Sequence, residues 1–236
     1  MRSIISSQHN SSSKQLAFPS INLPHPSYST KEKPFDVSDY ILDFYAIHPF
    51  WLLLGICEDN LPLTLDLRQA EKPIIIASDA QTGKTKLLQS IVYLALRMPL
   101  IQLRIYLVTK CLSMWDGLHL EQTISNLSIL PWKNVDTLFS TGILSNDDEK
   151  KNSHFRIILL DGLENISELN SSTQRLLRFM IETSPAKNIL CIGSIDTNFL
   201  PYMVEWLELF GTTILGSISS LVIANQLLNL PAVYRN

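Results

Sequence analysis

The fold of this 236-residue chain is decided by residues 73–85, which read Pro-Ile-Ile-Ile-Ala-Ser-Asp-Ala-Gln-Thr-Gly-Lys-Thr. The first five are a continuous apolar run, the pattern of a strand that is buried on both faces. A polar turn follows, and from Lys84 to Arg97 apolar side chains recur at helical spacing until Pro99 ends the pattern. The stretch therefore predicts a strand, a tight turn and an amphipathic helix.

The turn matches most of the phosphate-binding pattern G-x-x-x-x-G-K-[ST]. Gly83, Lys84 and Thr85 supply its end, whereas Ser78 stands at the first glycine. In such loops backbone N–H groups cradle phosphates, the lysine reaches the β- and γ-oxygens, and the hydroxyl helps to hold Mg²⁺. A loop and helix cap that happens to contain Gly-Lys-Thr is the alternative. We predict nucleotide binding by Ser78, Asp79, Ala80, Gln81, Thr82, Gly83, Lys84 and Thr85.

A second apolar run, residues 157–160, ends at Asp161. A carboxylate at the end of a buried strand beside a phosphate loop suits Mg²⁺, so we predict Thr85 and Asp161 as the metal-binding residues. ATPases of this kind usually place a glutamate next, but this chain has Gly162. Glu164 is the candidate general base if the strand end bends, and a surface carboxylate otherwise.

Short apolar runs alternate with helical stretches along the rest of the chain. This alternation predicts an α/β fold with a mainly parallel sheet and helices on both faces. Residues 51–56 and 61–67, joined by the polar turn 58–60, predict a preceding antiparallel pair. Further strands are predicted at 103–108, 156–160, 189–193 and 213–217, with helices at 172–182 and 200–209; residues 112–150 are mixed, and 146–152 form a polar loop.

Composition places most of the chain in one globular domain. Hydrophobic residues make up 46% of the sequence, which excludes the collagen-like and disordered classes. Residues 1–34 are rich in Ser, Pro and Asn and predict a disordered tail, leaving 35–236 as the nucleotide-binding domain. Only 8 glycines are present, roughly half the usual share, so glycine can be missing from places where a phosphate loop would use it.

Charge and cysteine content bear on the partners of the protein and on its cellular compartment. The tail carries four basic side chains against Glu32, so residues 35–236 have a net charge of about −6. That balance does not favour a stand-alone DNA-binding surface. The 3 cysteines are widely spaced, which favours free thiols in a reducing cytosol. With no signal-peptide pattern and no apolar run long enough to cross a bilayer, we expect a cytoplasmic protein.

Taken together, these motifs resemble the motor domain of the FtsK/SpoIIIE family, which has HerA-like and type VII secretion ATPase relatives. Residues 54–67 are similar to the family's paired strands, residues 105–110 to its strand ending in Asp-Pro-Lys, and 188–220 to its sensor strand, helix and last strand. The resemblance implies a RecA-like P-loop NTPase that binds ATP and Mg²⁺. It also implies a homo- or hetero-oligomeric ring that moves DNA or a secreted protein.

The departures from the family are systematic. Gln81 replaces a loop glycine, Gly162 the catalytic glutamate and Thr213 an arginine, while the sensor position falls near Asp196. In a motor of this family, Glu164 or Asp196 would orient the attacking water. The departures, Gly162 above all, imply that hydrolysis is weakened, and they speak against DNA pumping. Arg175 and Arg178 are the candidates for an arginine that acts on a neighbouring subunit, although a solvated helix face is the favoured interpretation.

Two alternative functions stay open. One is a nucleotide-binding scaffold or regulator without efficient turnover. The other is a NACHT-like signalling P-loop NTPase, because residues 160–164, Leu-Asp-Gly-Leu-Glu, resemble the corresponding motif of that family. The strands around the phosphate loop favour the FtsK-type interpretation.

Overall fold

The computed structural model describes residues 37–56, 61–69, 72–98, 103–116, 126–140, 155–220 and 222–223. Within them, six parallel strands form one sheet in the order β5-β4-β6-β7-β3-β8. The strands are β3 (Ile74–Ser78), β4 (Arg104–Thr109), β5 (Leu127–Pro131), β6 (Arg156–Leu160), β7 (Ile189–Asp196) and β8 (Thr212–Leu215). The predicted parallel α/β architecture is confirmed.

An antiparallel pair precedes this sheet, as predicted. It consists of β1 (Trp51–Ile56) and β2 (Pro62–Asp66). The α-helices are α1 (Val37–Ile47), α2 (Lys84–Ala95), α3 (Thr137–Ser140), α4 (Ser171–Thr183) and α5 (Val204–Leu207). Short 3₁₀ helices span Leu112–Trp115, Trp132–Asn134, Leu163–Glu168, Pro185–Lys187 and Thr197–Tyr202.

Two apolar cores lie on opposite faces of the six-stranded sheet. In β3 every residue is buried, and the side chains of Ile75 and Ala77 join one core while those of Ile74 and Ile76 join the other. Helices α4 and α5 contribute to the first core, and α1 and α2 to the second. Burial on both sides explains why the strands of this sheet read as continuous apolar runs rather than as alternating patterns.

Several element predictions need correction. The predicted helix at 200–209 is a 3₁₀ helix, Thr197–Tyr202, followed by the short α5. Pro201 lies inside the first of these and has no N–H for a helical hydrogen bond. Strand β7 extends three residues past the predicted end at Gly193, and neither β5 nor α1 was predicted. The predicted tail 1–34, the turn 58–60 and the loop 146–152 lie outside the described residues.

Strand order determines where polar side chains meet. Strand β7 lies between β3 and β6, so the phosphate-loop strand and the strand that ends before Asp161 are not neighbours. All six strands are parallel, and their carboxyl ends therefore share one edge, which is where open α/β sheets bind ligands. Ser78, Thr109, Asp161 and Asp196 all lie at or just after strand ends on this edge.

None of the helices in the described residues is long and apolar enough to span a bilayer.

The contribution of the second core to stability can be tested at Leu107, in the middle of β4. Its side chain is fully buried against that core, so Leu107→Ala should lower the free energy of unfolding by about 2–5 kcal/mol, because it removes apolar contacts and leaves a cavity. Urea unfolding followed by circular dichroism measures the change. Leu112→Ala is the control, since Leu112 is 45% exposed and its loss should cost less than about 0.5 kcal/mol. Equal effects would contradict this assignment of the core.

Candidate nucleotide site

The loop between β3 and α2 has the backbone of an anion cradle. Gln81 and Gly83 have positive φ values of 59° and 100°, and Thr82 between them does not. Alternation of this kind turns successive N–H groups toward one side of the chain. Gly83 is the N-cap of α2 without a side-chain cap, and the first turn of α2 holds no acidic residue. The helix N-terminus therefore presents positive partial charge at the loop.

Lys84 lies across the loop that precedes it. Its Nζ donates hydrogen bonds to the carbonyl oxygens of Ser78 at 2.9 Å and Asp79 at 2.6 Å. The same atom lies 3.9 Å from Oδ2 of Asp196, and both side chains are only 13% exposed. The largely buried ammonium group is thus held within the cradle, where it can reach the oxygens of an anion.

Thr85 and Asp161 are in contact although they lie 76 positions apart in the sequence. The Thr85 hydroxyl, in the first turn of α2, donates to Oδ1 of Asp161 at 3.3 Å. Hydroxyl and carboxylate oxygens are hard ligands of the kind that Mg²⁺ takes, together with waters and phosphate oxygens. The described residues contain no group of three or more His, Cys, Asp or Glu side chains fit for a metal, so Mg²⁺ here would depend on nucleotide oxygens as well.

Glu164 turns back toward the site. Gly162 has φ 82°, in the left-handed region, and leads into the 3₁₀ helix Leu163–Glu168, which follows β6. A Cβ atom on Gly162 would lie 3.1 Å from Oε1 of Glu164. The Glu164 carboxylate therefore lies against the position where a side chain on residue 162 would begin.

Glu164 is largely buried rather than a surface carboxylate. Its Oε2 atom is buried and has no hydrogen-bond partner. Burial raises the pKa of Glu164 and outweighs the backbone N–H groups of Glu164 and Asp196, which lower it; the charges of Asp196 and Lys84 have smaller, opposite effects. Asp196 ends β7 in register with Ser78, and its Oδ1 accepts the N–H of Asn198 at 2.9 Å. The two candidate catalytic carboxylates therefore lie near each other and near Lys84.

The side chain of Asp79 faces away from the cradle. Its carboxylate accepts hydrogen bonds from the Thr197 hydroxyl, from the Ser219 N–H at 2.7 Å and from the Ser219 hydroxyl at 2.5 Å. The bonds from Ser219, followed by the bond from Thr197, lower the pKa of Asp79. Asp79 thus connects the loop to the segments that follow β7 and β8, and only its backbone belongs to the cradle.

Gly216, which follows the neighbouring strand β8, leaves room for the side chain of Ser78. A Cβ on Gly216, which follows β8, would lie 2.6 Å from Cβ of Ser78. The Ser78 hydroxyl in turn accepts a bond from Thr82 at 2.7 Å. The remaining predicted loop residues, Ala80 and Gln81, are exposed.

Four hydroxyl residues at this edge are not among the residues predicted from the sequence. Thr109 and Ser194 contact Asp161, and Thr197 and Ser219 contact Asp79. Thr109, Ser194 and Thr197 follow or lie within apolar strands, and a polar residue at a strand's carboxyl end is the signal that could have identified them.

Arg175 and Arg178 lie on α4, away from the residues described above. The Arg178 guanidinium pairs with Glu182 at 3.0 Å and lies 3.8 Å from Glu205. Arg175 is exposed. This environment resembles a solvated helix face, which is the interpretation that the sequence favoured.

Comparison with known proteins adds evidence on the fold. No protein-family model matches the sequence, and no curated protein matches it either. Solved structures do match. Thermomonospora curvata EccC (ATPases 2 and 3), in complex with a signal sequence peptide, aligns with a TM-score of 0.56 at 13% identity over 72% of this chain. EssC (ATPases 2 and 3) from Geobacillus thermodenitrificans aligns with a TM-score of 0.55 at 13% identity over 75% of this chain.

The chain shares the P-loop fold of these ATPase domains. The chain spans about a third of the matched EccC and EssC chains, 34% and 36% respectively. A third structure, described only as an ATPase, is closer in size: 71% of this chain aligns with 74% of that one, at a TM-score of 0.53 and 12% identity. These likenesses concern the P-loop fold, and the chemistry of this chain rests on its own residues.

The contact between residues 78 and 216 gives a prediction about the loop. Gly216→Ala should lower the free energy of unfolding by about 1–3 kcal/mol, because the added methyl group would overlap Ser78. In the Ser78→Gly background the same substitution should cost much less. Urea unfolding of the wild type, both single variants and the double variant gives the coupling between the two sites.

Gly55→Ala is the matched control, since nothing lies within 4 Å of an added Cβ there. Simple additivity of the Gly216 and Ser78 substitutions would contradict the proposed steric contact.

Proposed function

We propose that residues 35–236 form an ATP-binding domain of the FtsK/SpoIIIE type that uses Mg²⁺ and hydrolyses ATP weakly. The observation that carries this proposal is the meeting of Thr85 and Asp161 at 3.3 Å across an intervening strand. A Gly-Lys-Thr tripeptide at a helix cap has no reason to face a carboxylate from another strand end. A nucleotide site that holds a cation requires this arrangement.

Each residue of the site has a role in this proposal. The N–H groups at the start of α2 bind phosphate oxygens, and Lys84 exchanges its bonds to the Ser78 and Asp79 carbonyls for bonds to those oxygens. Thr85 and Asp161 hold Mg²⁺, directly or through water. When bound, Mg²⁺ neutralises charge that develops on the phosphate oxygens.

Glu164 is the residue that we propose to orient water and accept its proton. Its raised pKa and unpartnered Oε2 suit a base, since a pKa closer to the working pH favours proton transfer. Asp196 lies beside it at the sensor position and is 3.9 Å from Lys84. Weak turnover is supported by Gly162 in place of the adjacent glutamate and by Thr213 in place of the family's arginine.

The proposed role is translocation within an oligomeric ring, with a polypeptide as the substrate rather than DNA. The acidic balance of residues 35–236 opposes a DNA backbone. In addition, one of the structures with this fold, EccC, is in complex with a signal sequence peptide. Stimulation of ATP hydrolysis by double-stranded DNA, without stimulation by polypeptide, would reverse this preference.

Removal of the Lys84 ammonium group tests nucleotide binding. We expect Lys84→Ala to weaken ATP binding about tenfold or more, because hydrogen bonds to charged groups contribute about 1.5–3 kcal/mol each. Equilibrium titration of a fluorescent ATP analogue measures the dissociation constant. Lys86→Ala removes the same charge from an exposed position two residues along α2 and should bind as the wild type does. Equal affinity of Lys84→Ala and the wild type would refute the site.

Glu164→Gln tests catalysis separately from binding. The variant should bind ATP with unchanged affinity and lose hydrolysis by about 100-fold, a typical contribution of a general base. In the wild type the rate should rise with pH as Glu164 loses its proton, and this rise should be absent in the variant. Phosphate release at a series of pH values measures both effects.

Glu168→Gln is the control, because Glu168 is exposed on the same 3₁₀ helix and pairs with Lys110 at 2.8 Å. If Glu164→Gln hydrolyses ATP like the wild type, Glu164 is not the base. If the wild type binds ATP without hydrolysing it, the result contradicts the motor function and favours a scaffold or a signalling NTPase.

A further inference from the structure

The Asp161 carboxylate is bonded on both oxygens by buried hydroxyl groups from the two strands that flank β6. Thr109, the last residue of β4, donates to Oδ2 at 3.0 Å. Ser194, within β7, donates to Oδ1 at 3.1 Å. Both Thr109 and Ser194 are only 1% exposed. The carboxylate is therefore fixed from two opposite sides, because its oxygens are bonded to different strands of the sheet.

The direction of these hydrogen bonds is set by the backbone. The Thr109 hydroxyl accepts the N–H of Cys111 at 3.2 Å, and the Ser194 hydroxyl accepts the N–H of Gly162 at 2.9 Å. A hydroxyl group has one proton to donate. With a backbone N–H directed at each oxygen, both protons point to Asp161. Each hydroxyl thus acts as a fixed donor toward one oxygen of the carboxylate.

Asp161 is anchored through its backbone as well. Its carbonyl oxygen accepts the indole N–H of Trp132 at 2.8 Å, and its N–H donates to the carbonyl of Val108 at 2.8 Å. Main chain and side chain are therefore both held. By contrast, the Asp196 carboxylate accepts the N–H of Asn198, only two residues further along the chain, at 2.9 Å. The two-sided hydroxyl arrangement is built around Asp161.

We propose that Thr109 and Ser194 are positioning residues that hold the Asp161 carboxylate in the orientation needed for nucleotide-bound Mg²⁺. This inference rests on the proposed function, since it concerns how that site takes its cation. Thr85, which donates to Asp161 Oδ1 at 3.3 Å, belongs to the binding site itself. Thr109 and Ser194 act only through Asp161. Partners of this kind typically change metal affinity by about 10- to 100-fold when removed.

The test separates the dependence on Mg²⁺ from nucleotide binding as such. A fluorescent ATP analogue is titrated into the full-length wild type, Thr109→Val and Ser194→Ala, first in EDTA and then over a series of MgCl₂ concentrations. Each variant should need roughly tenfold more Mg²⁺ to reach half of its Mg²⁺-dependent gain in affinity. Affinity in EDTA should match the wild type, because the cradle and Lys84 are unchanged. Thr109→Ser, which keeps the hydroxyl, should restore the wild-type dependence.

Ser184→Ala is the matched control. Ser184 is fully buried and its hydroxyl donates to the Ile181 carbonyl at 2.8 Å, so this variant also loses one buried hydrogen bond. It should show the wild-type Mg²⁺ dependence, and circular dichroism reports whether each variant is folded.

The outcomes distinguish the two proposals. If the wild type gains affinity from Mg²⁺ and both variants respond at the same Mg²⁺ concentration, the positioning role is wrong while the site stands. An equal loss of affinity with and without Mg²⁺ would likewise contradict it, because that pattern indicates general damage to the loop. If the wild type binds no nucleotide in either condition, the proposed function fails and this inference fails with it.

Discussion

Asp161 is the group on which the arrangement of the carboxyl edge depends. Its side chain accepts hydrogen bonds from Thr85 on α2, Thr109 on β4 and Ser194 on β7. Its backbone carbonyl accepts the indole N–H of Trp132. A carboxylate that leaves water needs such compensation, because desolvation of a charge without partners is costly. The same bonds link α2 to β4 and β7, the strands on either side of β6. They therefore compensate the charge of Asp161 and also hold these three elements in alignment.

Two departures from the usual phosphate-loop sequence are balanced elsewhere in the fold. Ser78 occupies the first glycine position, and the space for its side chain comes from Gly216 beyond β8. Gly162 occupies the glutamate position, and the Glu164 carboxylate turns back against it. In both cases a glycine leaves the space that a neighbouring side chain occupies.

Acidic side chains of the site lie around the Lys84 ammonium group. Lys84 lies 3.9 Å from Asp196, and its positive charge also favours the ionised form of Glu164. The Asp79 carboxylate, by contrast, is bonded by Ser219 and Thr197, and these hydrogen bonds lower its pKa, so that it stays ionised. Its negative charge is thus directed at the segments that follow β7 and β8. The carboxylates of Glu164 and Asp196 both lie near Lys84.

Local pattern was enough to predict the strand Ile74–Ser78, the helix from Lys84 and the parallel sheet, because the apolar run, the glycine and the helical spacing all lie within one short stretch. It also placed Thr85 and Asp161 in one site, since the carboxyl ends of parallel strands share an edge. The sequence could not determine that Asp79 points away, that Glu164 turns back, or that Thr109 and Ser194 fix Asp161. Those relations join residues far apart in the chain, and only the packing of β4, β7 and β8 against their neighbours brings the atoms within hydrogen-bond distance.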